Sequence, residues 1–443
     1  MRKNMRFGRY VILTALLGCL VSGCSADPAA TGQEAAVQEQ ETGITEINWW
    51  SFPIFAQTST RDEPGTYERE LIAAFEKENP DIKIRYTRLN YIDGPEQLSI
   101  SLKRDEECDL LLDAPGRIMD YGKKGYLVKL DDMFDESFLA DVDNPELIGA
   151  CKSQDTAYMY PMSSAPFYMA FNRRMLKSAG VLDLVHEGWT TEDFTKVTAA
   201  LQEAGYVPGA VFCKGTGGDQ GTRAFVANLY DGEVVSPDGS AYLLGSEKGI
   251  KAIKYISSEI DQGRMLSGTL LTGTEAVEKF VYGQASFTIL WGTSLQKNYK
   301  ILMDTFGVIP VEVPLPSEDG VPELEYLVNG FCVMDHGNQK KIEAAKRFIR
   351  FACDTPLWGP RNVQRSGCIP VRKSFGNIYY GDSHMEKVAG WTKYYAPYYN
   401  TVDGFADMRE LWSSTLQDIL GGYEAPENAM KNFQEKANLT LRK

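Results

Sequence analysis

The chain has 443 residues, 43% of them hydrophobic and 11% aromatic, which is too long for one ordinary core and argues for two lobes. Its formal net charge of −14 repels phosphate backbones and argues against nucleic acid as a partner. The three histidines, His186, His336 and His384, lie far apart, which argues against a zinc site and leaves few general bases.

Arg2, Lys3, Arg6 and Arg9 form a basic start before the apolar stretch "VILTALLGCL", so residues 1–23 read as a signal peptide. "LVSGC" places Ser22 and Gly23 before Cys24 and resembles the bacterial lipobox, which implies lipidation of Cys24. No later apolar run is long enough for a membrane helix, so lipid at Cys24 is the one expected anchor, on the outer surface of the cell membrane. Residues 24–43 lack aromatics, are rich in Ala, Gln and Glu, and read as a flexible tether.

Strand and helix patterns then alternate. "ITEINWW" reads as a strand, "TYERELIAAFEKENP" as a helix stopped by Asn79-Pro80, and "IKIRY" as a half-buried strand. "CDLLLD" is a short apolar strand, followed by a helix. This rhythm predicts a parallel sheet covered by helices, with ligands beyond the carboxyl ends of its strands. A second series runs from "YPMSSAPFYMAFNRRMLKSAG" through a helix capped by Thr190 with Asp193, the strand "GAVFC" and the loop "KGTGGDQGT". Further on come a helix ending at Gly263, the strand "ASFTILW", the strand "EYLVNGFCVMD" and the helix "KKIEAAKRFIRFACD". The tail reads as aromatic and helical from "GWTKYYAPYY" onward.

Besides Cys19 in the signal and Cys24, six cysteines remain: Cys108, Cys151, Cys213, Cys332, Cys353 and Cys368. An even number in an exported chain permits disulfides without fixing a pairing, whereas apolar settings such as "NGFCVM" read as buried free thiols.

Taken in order, "INWWSF", "LIAAFEKENPDIKIRY", "CDLLLDAPGRIMDYGKKGYLVKLDDMF", "YPMSSAPFYMAFNRRMLKSAGV", "GWTTEDF", "YGQASFTILWGTS" and "GCIPVRKS" resemble the extracellular solute-binding proteins of ABC importers. The likeness is to the carbohydrate-binding, maltose-binding-protein-like group, and covers the whole chain after the tether. It implies an α/β, two-lobe periplasmic-binding-protein-like (type II) fold with a hinge crossed three times. Lobe one is expected at 44–163 and 329–371, and lobe two at 164–328 and 372–443.

Sugars offer hydroxyl edges and flat C–H faces, so their sites need aromatic platforms with charged or amide groups in plane. Trp50, at a strand end, fits a platform at the cleft mouth, with core packing as the other reading; Trp49 reads as core. The resemblance adds Ser51 and Phe52 to the cleft, and Arg117 at a position like a sugar-contacting arginine. Asp113 follows an apolar strand and needs a partner, so an Asp113–Arg117 pair on a loop is the alternative. Lys214, Asp219 and Gln220 in the Gly-rich loop are candidate contacts, although a plain loop explains them equally well. Trp291 follows a strand, in uncertain register with the family's aromatic loop. The resemblance also points to the helix start at Phe405, Met408, Arg409 and Trp412. Ala165 stands where some relatives carry a sugar-gripping glutamate, so their specificity does not transfer.

The expected activity is capture of a sugar, an oligosaccharide, by a monomer that delivers it to ABC permease subunits. No enzymatic activity, cofactor or metal is expected. The alternatives are a surface glycan sensor or adhesion module, and a glycosidase using the carboxylates Asp109 and Asp113. Within transport, a polyol or glycerol phosphate is the other ligand class, with Arg117, Lys214 and Arg372 available to an anion.

Overall fold

Two of the four β-sheets among the described residues organise the chain, one of six strands and one of three. The computed structural model describes residues 43–56, 63–90, 93–104 and 108–441. The signal peptide, Cys24 and the tether lie outside the described residues, except for Gly43.

The large sheet begins as the local patterns dictate. In the helix Thr66–Glu78, Tyr67, Leu71, Ile72 and Phe75 face inward, and the Asn79 side chain donates to the Phe75 carbonyl at 2.9 Å before Pro80 stops the helix. In the strand Ile82–Arg88 the buried Ile82 and Ile84 alternate with exposed Lys83 and Arg85. Thr45–Ser51 lies parallel to Ile82–Arg88 on one side and to Leu110–Asp113 on the other.

The expectation of a parallel sheet holds only for that part. The full order is Ile369–Pro370, Tyr160–Pro166, Tyr326–Val333, Leu110–Asp113, Thr45–Ser51, Ile82–Arg88, and the first three are joined by antiparallel ladders. Tyr326–Val333 re-enters the sheet after a long excursion and inserts antiparallel between Leu110–Asp113 and Tyr160–Pro166, because no helical crossover links it to either neighbour.

The small sheet is antiparallel and places Tyr168–Asn172 between Phe287–Trp291 and Pro310–Val313. The chain therefore leaves the large sheet after Pro166, returns at Tyr326, and leaves again after Pro370. Thr190 and Asp193 form the expected capping box, and Gly263 (φ 71°) follows the helix Glu247–Asp261.

The tail departs from expectation. Gly390–Tyr394 is a short 3₁₀ turn, and the chain then runs extended beside Leu324, with Leu324 N–H on the Tyr394 carbonyl (2.7 Å) and Ala396 N–H on that of Leu324 (3.1 Å). Pro397 cannot donate to a helix, and Tyr395 is drawn off to stack on Tyr326, with centroids 4.0 Å apart and planes at 9°. Helices Phe405–Leu420 and Pro426–Thr440 follow; Trp412 Nε1 donates to Thr222 Oγ1 (2.9 Å), fastening the first to the helix Asp219–Leu229.

All six cysteines among the described residues are buried and unpaired, as their apolar settings suggested. Among the described residues no helix is long and apolar enough to cross a membrane.

Candidate functional site

A cleft of about 600 Å³ opens between the N-terminal part of the helix Pro115–Lys123 and the segment 400–409 with the start of the helix Asp219–Leu229. The first wall is built on a strand end. Asp113 closes Leu110–Asp113, is 4% exposed, and accepts from Ala114 N–H (2.8 Å) and from Arg117 Nε and Nη2 (2.6 and 2.7 Å). Burial pushes the Asp113 carboxyl up while the Arg117 guanidinium pulls it back down. The forked pair fixes the plane of the guanidinium, which also lies 4.5 Å from the Phe52 ring centroid. Arg117 thus reaches the cleft as a rigid donor, with Asp113 and Phe52 behind it.

The second wall is a chain of alternating charges. Gly218 (φ 84°) turns the loop into the helix Asp219–Leu229, on which Asp219 and Arg223 share a face and form an ion pair. Arg409 clamps the same carboxylate from the other side, with Nε and Nη2 at 2.9 and 2.7 Å. Arg223 Nη2 continues to Glu325 Oε2 at 3.2 Å. Arg223 is 1% exposed and Glu325 6%, so these charges persist only because they are paired. Glu325 Oε1 is buried with no hydrogen-bond partner, and burial pushes this carboxyl up to about 7 despite Arg223. Asn400 Oδ1, also on the cleft, has no partner either. The half-buried Phe405 ring has the Arg223 and Arg409 guanidinium carbons 5.3 and 5.7 Å from its centroid.

The two walls touch. Lys123 donates to the Thr401 carbonyl (3.0 Å) and pairs with Asp403 across the mouth. A side chamber of about 290 Å³ shares Phe167, Gln220 and Leu327 with the cleft. Among the described residues no group of three or more His, Cys, Asp or Glu could hold a metal ion.

Residues 58–354 match the family of bacterial extracellular solute-binding proteins. The chain belongs to this family. A binding protein of Brucella abortus is 22% identical over 86% of this chain and 90% of its own length. The melibiose/raffinose/stachyose-binding protein of Bacillus subtilis is 27% identical over 44% of this chain and 40% of its own. Among solved structures, the GacH receptor of Streptomyces glaucescens superposes with a TM-score of 0.71 at 16% identity, covering 90% of this chain and 99% of the receptor. The fold is the two-lobe, type II periplasmic-binding-protein fold.

The solute-binding protein brings five of the expected residues together on the cleft: Arg117, Asp219, Gln220, Phe405 and Arg409. Asp113 supports Arg117 from behind. Trp50 is instead core: it is 7% exposed, lines none of these cavities, and sits on a strand with neighbours on both sides. Trp49 is core as expected, 5.1 Å from Phe348 and 6.0 Å from Phe331 between ring centroids. Ser51 is fully buried against the Tyr86 hydroxyl at 3.1 Å, and Phe52 is 2% exposed beneath Arg117.

Trp291 turns inward, donating to Gln296 Oε1 (3.2 Å) and packing edge-on to Phe280; its successors Gly292 to Leu295 line the side chamber instead. Met408 and Trp412 share one helical face, buried completely, while Phe405 and Arg409 share the cleft face. Lys214 is exposed and outside both linings. Arg372 is tied to Asp141 (3.2 Å) and Asp354, which removes it from any anion in the cleft. Asp109 is held by Asn48 N–H (2.8 Å) and Lys341 (3.0 Å), and Asp113 by Arg117, and neither carboxylate lines the cleft.

Lys123, Phe167, Arg223, Glu325, Asn400 and Asp403 escaped the sequence reading. Two of them left a signal. Arg223 is the one charged residue in the mostly apolar stretch "RAFVANL", and Glu325 directly precedes the mostly apolar strand "YLVNGFCV". Lys123 and Asp403, 280 residues apart, left none.

Proposed function

We propose that this solute-binding protein captures a carbohydrate, an oligosaccharide, between its two lobes and delivers it to an ABC permease. The observation that carries this reading is Glu325: a buried carboxylate in a polar cleft, with Oε2 spent on Arg223 and Oε1 left for a donor such as a hydroxyl. Around it, Arg117 and Arg409 supply fixed donors, Asn400 an amide, and Phe405 a flat face for sugar C–H bonds. The Bacillus subtilis relative is named for melibiose, raffinose and stachyose, and the Streptomyces receptor has been solved with acarbose. Both support the carbohydrate class without fixing the sugar.

In this reading lobe one comprises 44–163 and 329–371, lobe two comprises 164–328 and 372–443, and the ligand touches both only when they are closed. Its differential affinity then shifts the population toward the closed form, which the permease reads. The protein acts as a monomer and not as an enzyme, is held by lipid at Cys24 on the outer surface of the cell membrane, and uses no cofactor.

Isothermal titration of the chain from Gly43 with melibiose, raffinose, stachyose and maltooligosaccharides tests this. Saturable binding to at least one is expected, weakened about ten-fold or more by Phe405→Ala. Silence toward the whole panel, with the fold intact, would overturn the carbohydrate reading.

A further inference from the structure

The side chamber differs in chemistry from the cleft it joins. The cleft is lined by nine charged side chains, Arg117, Asp219, Glu325 and Arg409 among them, whereas among the described residues none that lines the chamber is charged. The apolar part of its wall is Phe167, Val277, Leu290, Leu295 and Leu327, with the glycine backbones of the loop at Gly217–Gly218 and of Gly273 and Gly292. Uncharged polar groups are present on Gln220, Thr274, Ser294 and Tyr299, but the aliphatic stretches of wall between them leave a sugar hydroxyl without a partner, which costs free energy.

One polar feature stands out. Thr293, a lining residue, is 3% exposed, and its Oγ1 has no hydrogen-bond partner. A buried hydroxyl of this kind awaits a single donor or acceptor. At about 290 Å³ the chamber is larger than the roughly 150 Å³ apolar cavities that hold a benzene ring. Gln220 and Phe167 stand on both linings, so one molecule can occupy cleft and chamber together.

We infer that the side chamber binds a compact, mostly apolar group with one hydrogen-bonding atom, a phenol-like or cyclohexanol-like end, carried by a ligand whose hydroxylated part lies in the cleft. The ligand is then a glycoside with an apolar aglycone, and this rests on the carbohydrate reading of the cleft. The chamber takes the apolar end out of water, Thr293 meets its one polar atom, and the charged walls hold the rest.

The test has two arms. In the first, thermal unfolding of the full chain is followed with millimolar phenol and cyclohexanol. Both are expected to raise the midpoint saturably in the wild type and to have no effect on Gly292→Val. Gly292 has extended backbone (φ −176°), and a Cβ there meets only the Pro166 carbonyl at 3.4 Å and the Phe167 ring at 3.8 Å, so the side chain enters the chamber mouth without backbone strain. Should that variant fail to fold, the partly exposed Leu295→Trp fills the same space. Thr293→Val should weaken phenol several-fold and leave benzene unchanged.

In the second arm, methyl and phenyl glycosides of a sugar that binds are compared. The phenyl glycoside is expected to bind about ten-fold tighter, an advantage lost in Gly292→Val. No saturable response to phenol, or the same response in the filled variants, overturns the chamber assignment. Phenol binding with silence toward every sugar leaves the chamber standing and removes the carbohydrate reading. Equal affinity for the two glycosides does the reverse.

Discussion

Replacing Trp50 with alanine separates a core indole from a cleft platform. Trp50 is 7% exposed, on a strand paired to Thr87 on one side and Leu111 on the other. A buried indole removes roughly 200 Å² from water, which at about 25 cal/mol per Å² contributes on the order of 5 kcal/mol. Large-to-alanine replacements of core aromatics cost about 3–5 kcal/mol, since the site collapses only in part around the void. A loss of about 4 kcal/mol is therefore expected from urea unfolding of the chain from Gly43. That is a large share of the ~5–15 kcal/mol that a native protein commands, so the binding measurement belongs at low temperature. There, sugar affinity should stay within about two-fold of wild type, because Trp50 lines neither the cleft nor the chamber. Stability reduced by less than about 1 kcal/mol, with affinity down ten-fold, would refute this and return the indole to the ligand.

Arg223→Met strands Glu325 without its cation, although Asp219 keeps Arg409, and should cost about 3 kcal/mol at pH 8 by urea unfolding. The cost should shrink at pH 5, where Glu325 takes up a proton; an equal cost at both pH values would contradict the burial argument. Glu325 itself makes a second pH prediction. Its carboxyl is held at about 7, above the ordinary 4.5, so the folded chain keeps a proton that the unfolded chain releases. Its contribution to stability is full below about pH 4.5 and is lost as pH rises through about 7, so stability measured from pH 5 to 8 should fall less steeply in Glu325→Gln. Lys123→Met breaks a pair whose side chains are 35% and 63% exposed, so unfolding free energy should change by less than about 1 kcal/mol, and less still in high salt. Finally, a thiol reagent should label none of the six cysteines from Cys108 to Cys368 in the native chain from Gly43, and all six once it is unfolded. Burial pushes these thiols up, Cys213 to about 12, which leaves little thiolate to react.

What local pattern controls was readable. The helix Thr66–Glu78, the alternating strand at Ile82, the Thr190 capping box and the buried Cys332 and Cys353 each depend on residues within a turn or two of one another. The ordered series of motifs pointed to the family and with it to the two-lobe fold. For the candidate site, the family resemblance supplied Arg117, Phe405 and Arg409 and the Gly-rich loop supplied Asp219 and Gln220, and all five line the cleft. Which member of each local group faces the cleft was not legible. Phe405 and Arg409 face the cleft while Met408 and Trp412 do not, and the difference lies in the rotation of that helix against Thr222 and Phe433.

The sequence by itself determined the periodicities, caps and stops, and the family. All of these rest on near neighbours or on motif order. Tertiary structure alone decided that Trp50 is sheltered by strands on both sides, that Glu325 meets Arg223 from 102 residues away, and that Lys123 reaches Asp403 across the cleft mouth. The physical reason is the same in each case. A strand's pairing partners and a carboxylate's counter-ion are set by packing between distant segments, and the free energy that selects them, burial and the pairing of desolvated charge, exists only once those segments have met.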